Sequence, residues 1–363
     1  MAKNDIKFYN VTKTLSLYSD QVLMYMVIGA RGVGKSYSTK KHFLNRWFKN
    51  GDRFFYTRRY SDDIQVAIRG FFDKVVQDNP QWQKYEFREK GMPIGEFQVR
   101  EKAPESEDGE PVKNNNKWET IGWYGPLSMF NRIKSIEFVN VKKILYDEFL
   151  IEANSNQRYL KGEPMLLINL YDSIARLSVD VKLILMANAT SIYNPFFEEF
   201  GINPDMTKEY GLYKSNSVLV HFAPDKVRDV DDGSAFSRLV KGTSYEDYAL
   251  NNNFTNNTTE FVTQLTGRSV FKWTIILEGT KYGIWQDMDE GIFIVSDKYN
   301  NTGTALALSW EDAKDADVTS PKARAFTRLI SRTKNNNLYF TSAKIREKFR
   351  EPINKLIAGA NKD

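Results

Sequence analysis

Residues 27 to 36, VIGARGVGKS, set an apolar run directly against three glycines and close on Lys35 and Ser36. Gly29-x-x-x-x-Gly34-Lys35-Ser36 is a complete P-loop pattern, one that average residue usage produces by chance in a chain this long about once in a hundred. A bare backbone lets the main-chain N–H groups of residues 30 to 36 converge on a phosphate, with a helix dipole behind them. Lys35 is then placed to reach the outer phosphates of a nucleoside triphosphate, and the Ser36 hydroxyl to complete a magnesium shell. The motif therefore demands a buried strand before it and a helix after it. The alternative is a glycine-rich turn that opens an ordinary helix.

The flanking sequence meets that demand. DQVLMYMVIG reads as a strand, Lys35 to about Lys49 as a helix stopped by Asn50-Gly51, and RFFYTRRY at 53 to 60 as the next strand. Strand, glycine loop, helix, strand is the sequence form of a right-handed parallel βαβ unit. DIQVAIRGFFDKVVQD predicts one amphipathic helix. EFQVRE and KWETIGWYG alternate as antiparallel strands joined by the acidic, Pro/Gly/Asn-rich excursion KAPESEDGEPVKNNN. VKKILYDEFL and DVKLILMANAT are near-continuous apolar runs, each a strand buried on both faces, with the helical GEPMLLINLYDSIARL between them and NSVLVHFAP as a further strand.

A nucleotide-hydrolysing site needs an acidic residue at the C-terminal end of a neighbouring strand, and ILYDEF supplies Asp147 and Glu148. Asp147 is the candidate magnesium ligand, with Ser36, and Glu148 the candidate general base that polarises the attacking water. Two acids capping a strand at the sheet edge is the alternative. LILMANAT ends in Asn188, the sensor position of ATPases that carry a catalytic glutamate (the ASCE type), although an asparagine there also starts turns. Phosphoryl transfer wants a cation against the developing charge on the γ-phosphate. Arg176, ending a helix just before the Asn188 strand, is the first candidate and Lys134 in NRIKSIEF the second. An arginine at its own helix C-terminus is equally a dipole partner. Arg31, Arg58 and Arg59 are further cations near the nucleotide, with surface salt bridges as their competing use. The ATP-binding set is thus Gly29, Ala30, Arg31, Gly32, Val33, Gly34, Lys35, Ser36 and Tyr37.

With 363 residues, the expected organisation is two domains and a linker: an ATPase domain over 1–225, a polar linker over 226–256 and a second domain over 257–363. SVFKWTIILEG, KYGIWQD and EGIFIVSDK read as an antiparallel meander, followed by candidate helices at about 321 to 332 and 342 to 358. No apolar run is long enough to span a bilayer and the first residues lack a signal core, so a soluble, intracellular protein is expected. The chain has no cysteine and two histidines, His42 and His221, which excludes disulfides, thiolate zinc sites and thiol catalysis. From Pro321 onward eleven Lys/Arg face three Asp/Glu, a surplus of eight against a whole-chain net charge of +5. Such a basic end is either a solvated helix face or a surface for nucleic acid.

The set GARGVGKS, ILYDEF, Arg176 and LILMANAT, followed by a small β-rich domain and a basic end, resembles the genome-packaging ATPases (encapsidation proteins) of small φ29-like tailed bacteriophages, relatives of the large terminases. YGPLSMFNRIKS and SRLVKG fit the same family less specifically. The resemblance implies an α/β architecture: an ASCE-type P-loop domain with a mostly parallel sheet, plus a small α+β domain similar to a nuclease-inactive RNase H-like fold. It also implies a pentameric ring at the portal of an empty prohead in the host cytoplasm, driving double-stranded DNA inward with ATP and Mg2+. Arg176 then acts in trans, and the C-terminal domain docks on a structural packaging RNA and the portal (connector) protein. Besides a helicase working on single strands, two other readings stay open. Asp287, Asp289, Glu290 and Asp297 form either a two-metal nuclease cluster of a terminase-like motor or plain acidic turns. A nucleotide-gated binding switch is the other, weakened by the absence of the guanine-reading Asn-Lys-x-Asp and by Glu148.

Overall fold

The computed structural model describes residues 9–103, 114–152, 157–176, 180–188, 194–205, 208–223, 262–301 and shorter stretches between 305 and 352. The chain divides into two compact units, residues 1–255 and 256–363. The acidic excursion (mostly 104–113), the expected linker, SRLVKG and much of the two C-terminal candidate helices lie outside the described residues.

The first unit opens with α1 (Val11–Ser16), whose N-cap Asn10 accepts hydrogen bonds from the Thr12 and Lys13 N–H groups. β1 (Met24–Ile28) is buried at every position and leads through the glycine loop into α2 (Lys35–Asn50). Gly51, at φ +70, ends α2 in the left-handed conformation that the Asn-Gly stop signal predicts. β2 (Arg53–Thr57) follows. The single helix expected next is instead two short ones, α3 (Ser61–Ala67) and α4 (Asp73–Gln77). Gly70 separates them at φ +58, a backbone state no helix interior accepts. β3 (Tyr85–Lys90), β4 (Gly95–Glu101) and β5 (Glu119–Tyr124) form an antiparallel set, of which β3 carries no clear alternation in the sequence. Then come α5 (Phe130–Ile133), β6 (Val141–Asp147), α6 (Glu163–Ala175), β7 (Lys182–Ala187), α7 (Pro195–Glu199), β8 (Tyr210–Tyr213) and β9 (Val218–Phe222).

These strands make one nine-stranded sheet ordered β3-β4-β5-β2-β6-β7-β1-β9-β8. From β5 to β9 every neighbour is parallel, and antiparallel strands finish both edges. Alternate residues of the central strands feed two cores. Tyr25, Val27, Phe54 and Tyr56 pack with Phe43 and Leu44 of α2. Met24, Met26, Ile28 and Phe55 pack with Leu167, Leu170 and Ile174 of α6. Helices therefore cover both faces, which explains why the strands read as continuous apolar runs. The β6 strand is not a direct neighbour of β1, as the simplest reading of the motifs expects: β7 is inserted between them. The order of motifs along the chain cannot report which strand enters the gap.

The second unit is a mixed five-stranded sheet, β13-β10-β11-β12-β14. β10 (Ser269–Leu277), β11 (Thr280–Asp287) and β12 (Phe293–Ser296) form the expected antiparallel meander. β13 (Ala305–Ala307) and β14 (Leu338–Phe340) add parallel edges that three-residue runs do not reveal in the sequence. Ile345 and Phe349 pack into its core with Ile275, Ile284 and Val295. Among the described residues, no helix is long and apolar enough to cross a membrane.

Candidate active site

A cleft at the C-terminal edge of the parallel strands is lined by Arg31, Gly32, Gly34, Lys35, Ser36, Tyr37, Asp147, Glu148, Ala187 and Asn188. Four elements meet there: the loop after β1, the start of α2, and the ends of β6 and β7. Parallel strands all point the same way, so residues that end separate apolar runs converge at one edge.

The loop is shaped by Gly32 (φ +83) and Gly34 (φ +93), both left-handed, which turn the chain into the N-terminus of α2. Lys35 is buried, and its Nζ donates to the Gly29 and Ala30 carbonyls (2.7 and 2.8 Å) and to Asn188 Oδ1 (3.3 Å). Not every residue of the expected binding set faces the cleft. Ala30 and Val33 are buried in the core beneath the loop, and the Val33 carbonyl accepts from the Tyr9 N–H (3.0 Å). Gly29 lies against Ala223 at the end of β9, where a Cβ would come within 2.7 Å of the Ala223 Cβ. Their contribution is backbone geometry. Tyr37 lines the cleft and its hydroxyl accepts from Asn79 Nδ2 (3.2 Å).

On the opposite wall Asp147 is buried and accepts from the Tyr56 hydroxyl (3.2 Å) and Arg58 Nη2 (3.3 Å). The same Arg58 Nη2 donates to Glu148 Oε1 (2.9 Å), and Arg58 Nε donates to the Tyr56 hydroxyl (2.9 Å). Arg58 thus bridges the two carboxylates, a role that neither its position after β2 nor its charge discloses. The backbone of Arg58 and Arg59 is held by the Leu127 and Ser128 N–H groups of the YGPLSM segment (2.8 and 3.0 Å). Glu148 sits at φ +59, a strained state for a side chain of this size, and of the kind that collects at functional sites. Its carboxyl is raised above the ordinary glutamate value first by desolvation, with Asp147, Glu152 and Asp63 adding repulsion against the pull of Arg58. A raised carboxylate is a better proton acceptor.

Arg59 takes no part in the cleft and is not a surface salt bridge either. It is buried and pairs through two nitrogens with both oxygens of fully buried Glu163 (2.8 and 2.9 Å), while Tyr146 donates to the same carboxylate (2.6 Å). Arg59 Nη2 also donates to the Phe149 carbonyl (2.9 Å), so the network fixes the chain leaving Glu148. Glu152, four residues past Glu148, escaped the sequence reading: its Oε1 accepts from Arg31 Nη2 (3.0 Å) and Asn188 Nδ2 (2.8 Å). A glutamate in a loop carries no periodic signal to find it by.

Arg176 and Lys134 do not line the cleft. In a parallel strand–helix–strand unit the helix runs back from the C-terminal to the N-terminal sheet edge. Arg176, the exposed C-cap of α6, therefore lies at the edge away from its own P-loop, with backbone φ +47. Lys134 is exposed after α5 and its ammonium lies 5.8 Å from the Phe130 ring centre. In the second unit Asp287 accepts from the Asp289 and Glu290 N–H groups (3.0 and 3.2 Å) and from the Thr266 hydroxyl (2.8 Å), bonds that hold its carboxyl below the ordinary value. It caps a turn. Arg268 pairs with Asp289, and Ser296 with Asp297. Among the described residues no group of three or more His, Cys, Asp or Glu is placed to hold a metal ion.

A glycine loop, a buried strand-end aspartate beside a glutamate, and a strand inserted between theirs and the loop's define a P-loop ATPase. The chain belongs to the Podovirus DNA encapsidation protein (Gp16) family, whose model matches residues 3–102 and 111–357. A DNA packaging protein of Bacillus phage B103 is 32% identical over 301 residues, covering 82% of this chain and 85% of that protein. One of Bacillus phage phi29 is 31% identical over 311 residues, covering 85% and 84%. Among solved structures, a chain of the bacteriophage Phi-29 viral genome packaging motor assembly is 29% identical and covers 96% of this chain and 99% of its own, with a TM-score of 0.68. The Phi-28 gp11 DNA packaging motor, 18% identical over 97% of this chain and 98% of its own, shares the fold (TM-score 0.58).

Proposed function

We propose that this protein is the motor that drives double-stranded viral DNA into an empty prohead by hydrolysing ATP. The observation that carries the reading is the convergence, in one cleft, of the P-loop lysine with the Arg58-bridged Asp147–Glu148 pair. Lys35 and the N–H groups of residues 30 to 36 hold the phosphates, with Tyr37 beside them. Mg2+ suits the donor set: the Ser36 hydroxyl and buried Asp147 are hard oxygen ligands facing the same cleft, and the ion would neutralise phosphate charge. Glu148 takes the proton of the attacking water, and Asn188 faces the γ-phosphate.

Arg176 belongs to a neighbouring subunit's site in this reading. Its place at the far sheet edge removes it from its own cleft and suits a ring in which one protomer's lower edge meets the next protomer's nucleotide. A pentamer is the expected ring, with Lys134 as the second candidate cation. Residues 1–225 form the ATPase domain, 226–256 the linker and 257–363 an RNase H-like domain without cutting activity. That domain and its basic end dock on structural RNA and the portal at the prohead vertex in the host cytoplasm. The decisive experiment is Glu148→Gln: ATP binding stays within about threefold while turnover, with or without DNA and proheads, falls by about a hundredfold or more. Full turnover in that variant would remove Glu148 from the chemistry.

A further inference from the structure

Phe149 and Ile151, which follow Glu148, are pinned by hydrogen bonds. The Phe149 N–H donates to the Met186 carbonyl of β7 (3.2 Å), the Phe149 carbonyl accepts from buried Arg59 (2.9 Å), and the Ile151 N–H donates to the Tyr159 hydroxyl (3.2 Å). What this anchoring brings against the cleft residues Asn188 and Arg31 is Glu152. Its Oε1 accepts the Asn188 amide N–H at 2.8 Å and Arg31 Nη2 at 3.0 Å, and Asn188 Oδ1 in turn accepts from Lys35 Nζ at 3.3 Å.

A carboxylate on one side and an ammonium on the other leave the Asn188 amide one orientation. Turned over, its oxygen would face the Glu152 carboxylate and its NH2 the Lys35 ammonium, two repulsive contacts in place of two attractive ones. The consequence concerns what Asn188 can do. One of its two amide N–H bonds is engaged with Glu152, and its carbonyl oxygen is turned to the Lys35 side, where it accepts hydrogen bonds. An acceptor just past β7, lining the same cleft as the Glu148 carboxylate just past β6, suits a water molecule, whose two hydrogens need two acceptors when its lone pair faces phosphorus.

We propose that Glu152 is a positioning residue that fixes Asn188 with its carbonyl oxygen inward, making Asn188 a second acceptor for the attacking water. This rests on the reading of the cleft as an ATPase site. Glu152 touches neither water nor phosphate in this role and acts through the amide it holds.

The test is steady-state ATPase kinetics on the full chain, with nucleotide affinity from a fluorescent ATP analogue and folding from thermal melts. Glu152→Ala is expected to lower kcat about ten- to a hundredfold, with affinity changed by less than about threefold. Asn188→Asp sets two carboxylates against each other and should be at least as impaired. Combining it with Glu152→Gln restores a donor facing the new carboxylate, and the E152Q/N188D pair should recover kcat to within a few-fold of wild type. A double variant no better than Asn188→Asp alone, or a Glu152→Ala variant with unchanged kcat, overturns the proposal. Glu148→Gln run in parallel separates the two claims: if it turns over normally, the reading of the cleft fails regardless of how the Glu152 variants behave.

Discussion

His42 is more than nine-tenths buried in α2, with Nδ1 hydrogen-bonded to the Thr12 hydroxyl (2.9 Å). Burial first, and the nearby Lys143 and Arg46 charges next, push its pKa down to about 4. The folded protein therefore keeps the ring neutral where the unfolded chain, titrating near 6.5, takes up a proton. The stability this neutrality confers is complete above pH 6.5 and is lost as pH falls toward 4, for a total of about 3 kcal/mol. Urea midpoints measured at pH 7.5 and 5 should fall accordingly in the wild type and fall less in His42→Gln; equal slopes in the two proteins would exclude His42 as the cause. Legibility at this scale follows the same physics of placement. Lys35, Ser36, Asp147, Glu148 and Asn188 were readable because each ends or follows an apolar run, and parallel strands bring such ends to one edge. Glu152 was invisible, and so was the bridging of Asp147 and Glu148 by Arg58, because a side-chain contact between loops leaves no period in the sequence.

Among the elements, the phosphate loop depends on a close junction of β1 and β9. The Ala223 N–H donates to the Ile28 carbonyl (2.7 Å), and a Cβ on Gly29 would meet the Ala223 Cβ at 2.7 Å and its carbonyl oxygen at 3.3 Å. Neither obstacle is a flexible side chain that can turn away. Gly29→Ala should cost about 1–3 kcal/mol of stability by forcing the two strand ends apart. ATP-analogue affinity should weaken with it, since the loop leaves β1 at this residue. An unchanged urea midpoint would show that the strands yield without strain. The glycine thus belongs to the binding motif for a packing reason as well as a phosphate one. The buried strands were legible because covering a sheet on both faces erases alternation. The helix expected across Gly70 was not, since one left-handed residue overrides an otherwise amphipathic pattern.

For the molecule as a whole, the separation of Arg176 from its own cleft is the feature with the largest consequence. If it serves a neighbour, mixing Arg176→Ala subunits into wild-type assemblies should reduce ATPase activity measured with DNA out of proportion to the variant's fraction. A linear decline would confine the residue to its own subunit or to no catalytic role. The second unit has its own core, from Ile275 and Ile284 to Phe349, and its acidic turns are satisfied by local N–H groups and hydroxyls.

The amino-acid sequence alone determined the P-loop, the order of strands and helices around it, the strand-end acids, and the resemblance to the packaging family that the comparisons bear out. All of these are local patterns or patterns along the chain. Only the tertiary structure decided that β7 lies between the loop strand and the acid strand, that Arg58 ties the two carboxylates together, and that Glu152 meets the Asn188 amide. Strand order and side-chain contact depend on which segments meet in space, and that is set by the packing of both sheet faces at once, to which no single stretch of the chain gives access.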